Sequence, residues 1–141
     1  MAQDQTVTNT GIAELVLLWG GGSATKMMSI ACMTDTTACT VSSTHSFGSP
    51  PDTIVSSTVA AALDTVNMDS VATTATNTAG DSITFDHVFT STGTFNITGV
   101  VVMNDDDDVA YVICCFASVV AMEDTDTLTI DGKVVIDQAS T

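Results

Sequence analysis

Between Val109 and Met122 the chain runs for fourteen residues without a charged side chain. Successive side chains of a strand point to opposite faces. Read that way, Tyr111, Ile113, Cys115 and Val119 share one face, and Val112, Cys114, Phe116 and Val120 share the other. Both faces are apolar, so a strand built from this segment must be covered on both sides. One cover is the rest of the domain. The second is expected from an N-terminal helix or from a neighbouring subunit.

The flanking segments alternate in the same way and predict a four-stranded antiparallel core over residues 81–137. Ile83, Phe85, His87 and Phe89 fall on one face, with Ser82, Thr84 and Asp86 opposite. Phe95, Ile97, Val101 and Met103 are expected to share a face, with Gly99 between them, and Leu128, Ile130, Val134 and Ile136 close the series. Asp105 to Asp108 then form the tip of the central hairpin. Thr and Val suit a pleated, half-buried surface and Asp and Gly suit turns, whereas Lys, Arg, Gln and Glu, which favour helices, are scarce. The expected fold is all-β: an antiparallel β-sandwich with one short N-terminal helix, jelly-roll-like as one option. A chain of 141 residues makes this a single domain, 1–141.

Upstream, residues 1–9 read as a polar arm. Asn9 or Thr10 can cap a short helix over 10–19, in which Ile12, Leu15, Val16 and Trp19 form one apolar stripe. Gly20, Gly21 and Gly22 stop it. A buried strand over Ala13–Trp19 is the alternative. A helix this short is not stable alone in water, so its stripe must bury against the domain or another subunit. Lys26 to Met33 is a predicted strand. Residues 34–52, with Gly48 and Pro50-Pro51, read as a long Ser/Thr loop. Thr53 to Leu63 reads equally as a short helix or an edge strand, and Thr65 to Ala75 as one polar-faced strand.

The formal net charge is −15, with Lys26 and Lys133 the two cations. Phosphate-backbone binding needs clustered Lys and Arg, and anionic lipid repels such a chain, so neither nucleic acid nor membrane is expected as a partner. The N-terminus lacks the basic and apolar regions of a secretory signal, so a soluble protein is expected, with any extracellular destination reached by lysis or by assembly into a particle. Cys114 and Cys115, as neighbours on a strand, must face opposite ways, and both are expected to be small buried hydrophobes. Cys32 and Cys39 are close enough in sequence for a bond across a turn.

The candidate sites are sparse. Asn104 with Asp105, Asp106, Asp107 and Asp108 is oxygen-rich and is a candidate for Ca²⁺. It lacks the alternating ligand spacing of a calcium loop, and adjacent side chains diverge, so a solvated hairpin tip is the competing reading. Glu123, Asp124 and Asp126 make a second acidic turn at the other end of the apolar segment. His87 shares a face with two phenylalanines and is expected to be packed. His45 lies among serines and threonines with no nucleophile elbow near it. No catalytic constellation is expected.

The order of motifs carries a resemblance. Asn9-Thr10-Gly11 opens the helix, and a Met-rich strand follows. Then come Gly80-Asp81-Ser82-Ile83-Thr84-Phe85-Asp86-His87-Val88-Phe89 and a closing Asp126-Thr127-Leu128-Thr129-Ile130 with Lys133-Val134-Val135-Ile136-Asp137. This resembles the small β-rich structural proteins of tailed-bacteriophage and archaeal-virus particles, of tail, tail-fibre or capsid-decoration type. The resemblance implies a virion location, no catalysis, homo-oligomerisation and docking on other virion proteins. The apolar excess of the sequence points to Ile12, Leu15, Val16, Trp19, Val112, Cys114, Phe116 and Val120 as oligomer-interface candidates. A divalent-cation-binding surface or adhesion module using Asp105–Asp108 is the alternative function.

Overall fold

Ladder hydrogen bonds sort the chain into two antiparallel sheets and one helix. The computed structural model describes residues 4–23, 27–46, 48–51, 53–54, 66–67, 70–74, 81–104 and 109–136. In chain order the elements are β1 (Asp4–Val7), α1 (Asn9–Trp19), β2 (Met27–Thr34), β3 (Thr53–Ile54), β4 (Val66–Asn67), β5 (Ser70–Thr74), β6 (Asp81–Thr90), β7 (Phe95–Asn104), β8 (Ala110–Met122) and β9 (Thr127–Ile136). The larger sheet runs β1-β8-β7-β2-β3, with β4 also paired to β2, and the smaller runs β5-β6-β9.

The sheets pack face to face as a sandwich. Its core joins Ile30, Cys32, Val100, Val102 and Phe116 of the larger sheet to Phe85 and Phe89 of the smaller one. Burying each such aliphatic or aromatic side chain contributes about 1.5–3 kcal/mol, which is what holds two otherwise separate sheets together. The antiparallel strands expected over 81–137 are present, but they do not form one sheet. β7 and β8 make the central hairpin of the larger sheet, while β6 and β9 pair across ten residues in the smaller. Alternation reports which faces are apolar; it carries no record of which strand pairs with which.

Two local expectations are corrected. The expected common face of Ile97, Val101 and Met103 is broken. Ile97, Val100 and Val102 face the inter-sheet core, whereas Val101 and Met103 face the opposite side of the sheet. The ladder between β7 and β8 jumps from Ile97↔Val120 to Gly99↔Cys115, so Thr98 alone stands against Phe116–Val119. A bulge of this kind resets the alternation downstream of it. Gly99 permits it: a Cβ there would lie 2.2 Å from the Cys114 carbonyl oxygen. The segment 65–75 is not one strand either; Val66–Asn67 joins β2 while Ser70–Thr74 joins β6, in different sheets.

The arm also gains structure. Asp4–Val7 adds to β8 as an edge strand, because ladder bonds are made by backbone and do not require apolar side chains. Of the stretch left open between helix and strand, Thr53–Ile54 is edge strand on β2; the rest lies outside the described residues.

The outer face of the larger sheet is as dry as the inner one. Ala31, Met33, Val101, Met103, Ile113 and Cys115 are buried there, under Cys39 and Val41 of the Ser/Thr segment. Among the described residues the second cover of the apolar strand is the long loop, while α1 packs through Leu15 on the inter-sheet core. A Cys39–Cys115 disulfide fastens it, with the two Cα atoms 5.4 Å apart. This corrects the reading of Cys115 as a thiol, and it takes Cys39 away from the bond with Cys32 that the sequence left open. Cys32 points into the inter-sheet core, so the sheet itself stands between it and Cys39. Cys114 does turn to the opposite face from Cys115, as neighbours on a strand must.

Candidate functional site

α1 is anchored at one end and apolar in the open at the other. Thr8, not Asn9 or Thr10, is its N-cap, and the Thr8 hydroxyl accepts from the Gly11 N–H at 2.9 Å. The same hydroxyl donates to the Ala110 carbonyl, and the Thr8 N–H donates to the Tyr111 carbonyl at 3.0 Å. The Asn9 N–H donates to the Ser43 carbonyl at 2.8 Å, tying the helix start to the loop cover. Gly11 is buried against β8; a Cβ would fall 2.7 Å from the Tyr111 Cα. Small size at this position is what lets the helix reach the sheet. At the far end the Gly20 N–H donates to the Val16 carbonyl at 2.9 Å and Gly21 takes φ 72°, the left-handed turn that glycine allows.

Between these ends only Leu15 packs on the sandwich core. Ile12 is 50% exposed, Val16 58%, Leu17 45%, Leu18 39% and Trp19 72%. These five exposed apolar side chains fall on one eleven-residue helix, and apolar surface gathered on one element is a feature of interaction sites in soluble proteins. Glu14 is the one charged residue of the helix. Its Oε2 is buried without a hydrogen-bond partner, and it adds to burial in holding the Tyr111 hydroxyl above the usual tyrosine range. Glu14, Leu17 and Leu18 were passed over by the stripe reading. The unbroken apolar run Leu15–Trp19 was the signal for the last two, since no narrow stripe can hide five consecutive positions.

The other interface candidates lie elsewhere. Phe116 is buried between the sheets, and Val112, Cys114 and Val120 are half-buried against the same core. Of the eight candidates, Ile12, Val16 and Trp19 are the ones left exposed on α1.

Asp105–Asp108 lie outside the described residues. Asn104, their neighbour, is buried, and its Oδ1 accepts from the Val109 N–H at 3.0 Å, closing the neck of the hairpin. The second acidic turn is built on its own backbone: Asp126 Oδ2 accepts from the Glu123 N–H at 2.8 Å, and Thr125 takes φ 73°. Among the described residues no three His, Cys, Asp or Glu side chains converge as metal ligands. His87 is buried and meets Phe89 edge to face, ring centroids 4.5 Å apart, as its position predicted. His45 Nδ1 lies 3.2 Å from the Ser49 carbonyl within the loop. No helix among the described residues is long and apolar enough to cross a membrane.

Searches against protein-family models, curated proteins and solved structures find no match to this chain.

Proposed function

We propose that this chain is a non-enzymatic structural protein of a virus particle, self-assembling and docking on other particle proteins as a capsid-decoration, turret or tail component. The observation that carries this reading is the open apolar surface of α1 on a sandwich whose larger sheet is already covered on both faces. A helix fixed rigidly at Thr8 and Gly11, with Trp19 nearly free, presents an aromatic anchor of the kind that dominates protein–protein contacts. The motif order from Asn9 to Asp137 and the strongly acidic composition support the same reading. Acidity keeps an assembled surface from non-specific sticking.

Light scattering on purified protein tests it. The wild type is expected to form oligomers at micromolar concentration, and Val16→Asp with Trp19→Asp to reduce the assembly size while leaving the melting temperature nearly unchanged. A wild-type monomer whose behaviour those substitutions do not alter would overturn it.

A further inference from the structure

β-sandwiches guard their edges, because an open edge is a template for another strand. Among the described residues most edges are short: β1 has four residues, β3 and β4 two each, and β5 five. β9 is the exception. It is a ten-residue edge strand, pairs with β6 in unbroken register along its whole length, and contains neither proline nor bulge. Its inward side chains Leu128, Ile130 and Val134 are only half-buried. Clefts of about 330 and 300 Å³ open beside its two halves, against β8 and against β1.

The sequence of β9 is complementary to itself. Around Gly132 it reads outward as Asp131 and Lys133, Ile130 and Val134, Thr129 and Val135, Leu128 and Ile136. We infer that β9 pairs antiparallel with β9 of a second copy about a two-fold axis at Gly132, fusing the two small sheets into one. In that register Asp131 lies opposite Lys133 of the second copy, and the reverse, both on the exposed face. Ile130 meets Val134 on the inward face. Directly opposed side chains on one face stand close enough to form such pairs. Within one chain Asp131 stands opposite Asp86, a like-charge pairing. The second copy's lysine would bring positive charge to its other side. A lone lysine on an edge would repel a second copy; one set two residues from an aspartate at a two-fold axis attracts it. The arrangement is isologous and therefore closed, giving a dimer and not a fibre.

This contact deepens the assembly reading by naming a self-contact separate from α1. It is tested with α1 silenced by Val16→Asp and Trp19→Asp, using sedimentation analysis, with circular dichroism confirming the fold of every variant. That background is expected to remain dimeric. Adding either Asp131→Lys or Lys133→Asp should weaken dimerisation by roughly tenfold or more, since each places like charges opposite at two symmetric positions. The combined swap should restore it, as should mixing the two single variants, whose edges are then complementary. A monomeric silenced background, or a dimer indifferent to both charge reversals, or no rescue on mixing, overturns the β9 contact. If oligomers of the wild type are lost entirely on silencing α1, the assembly reading stands and the β9 contact falls; a wild-type monomer sinks both.

Discussion

Cys32 shows how one buried atom sets a pH limit on the fold. Its thiol lies between the sheets, and burial pushes its pKa up from 9.0 to about 12. Burial shifts Cys114 upward as well, and burial with the Glu14 charge does so for Tyr111. The folded chain holds these protons where the unfolded chain has released them. Stability is therefore intact below pH 9 and falls as pH rises towards 12. The loss from Cys32 is on the order of a few kcal/mol across that interval. Urea melts taken through this range should show the decline, and Cys32→Ala, although less stable at neutral pH, should show a shallower one. An equal slope in the variant would remove Cys32 from the account. Residue-level character of this kind was partly legible in the sequence. The packing of His87 follows from its spacing to Phe85 and Phe89. The freedom of Gly99 from a side chain did not read as a bulge, because the clash it avoids is with the Cys114 carbonyl, on another strand.

Among the elements, the loop cover depends most on a single bond. From Asp35 to Ser46, Cys39 is the one buried residue, and Val41 is the one apolar neighbour packed with it on the outer face. The disulfide closes a span of 76 residues. Replacing both Cys39 and Cys115 by serine is expected to cost about 2–5 kcal/mol and to raise binding of a hydrophobic dye, as the face around Met33, Val101 and Ile113 becomes accessible. Unchanged dye binding and midpoint would mean that other contacts hold the cover. The elements themselves were largely readable: α1, β2 and the four strands after residue 80 follow from period and turn residues. The cover was not, since a Ser/Thr-rich segment has no apolar pattern by which to declare what it lies on. The apolar excess of β8 did signal a missing layer; it could not say that the layer comes from the same chain.

For the whole molecule, charge sets the response to solvent. A formal charge of −15 on 141 residues is self-repelling, and added monovalent salt screens it. The melting temperature is expected to rise by on the order of a few °C between low and physiological salt. Ca²⁺ at matched ionic strength should add nothing further if the aspartates act as a diffuse charge. A distinct extra rise with Ca²⁺ would favour the cation-binding alternative. The sandwich class was legible from two-faced alternation, but the division of strands between sheets was not, because it is decided by long-range pairing. Of the eight apolar residues expected at an interface, Ile12, Val16 and Trp19 are exposed, whereas Leu15, Val112, Cys114, Phe116 and Val120 pack within the chain. One consequence concerns timing. Cys114 and Cys115 stand on opposite sides of a sheet one strand thick, and a slip of β8 by a single residue would present the wrong one to Cys39. Oxidation before the strands have found their register can therefore lock a misaligned chain of the same mass as the native one. Oxidation afterwards seals the correct alignment. The order of the two events, folding and then sulfur chemistry, is written into the adjacency of these two residues.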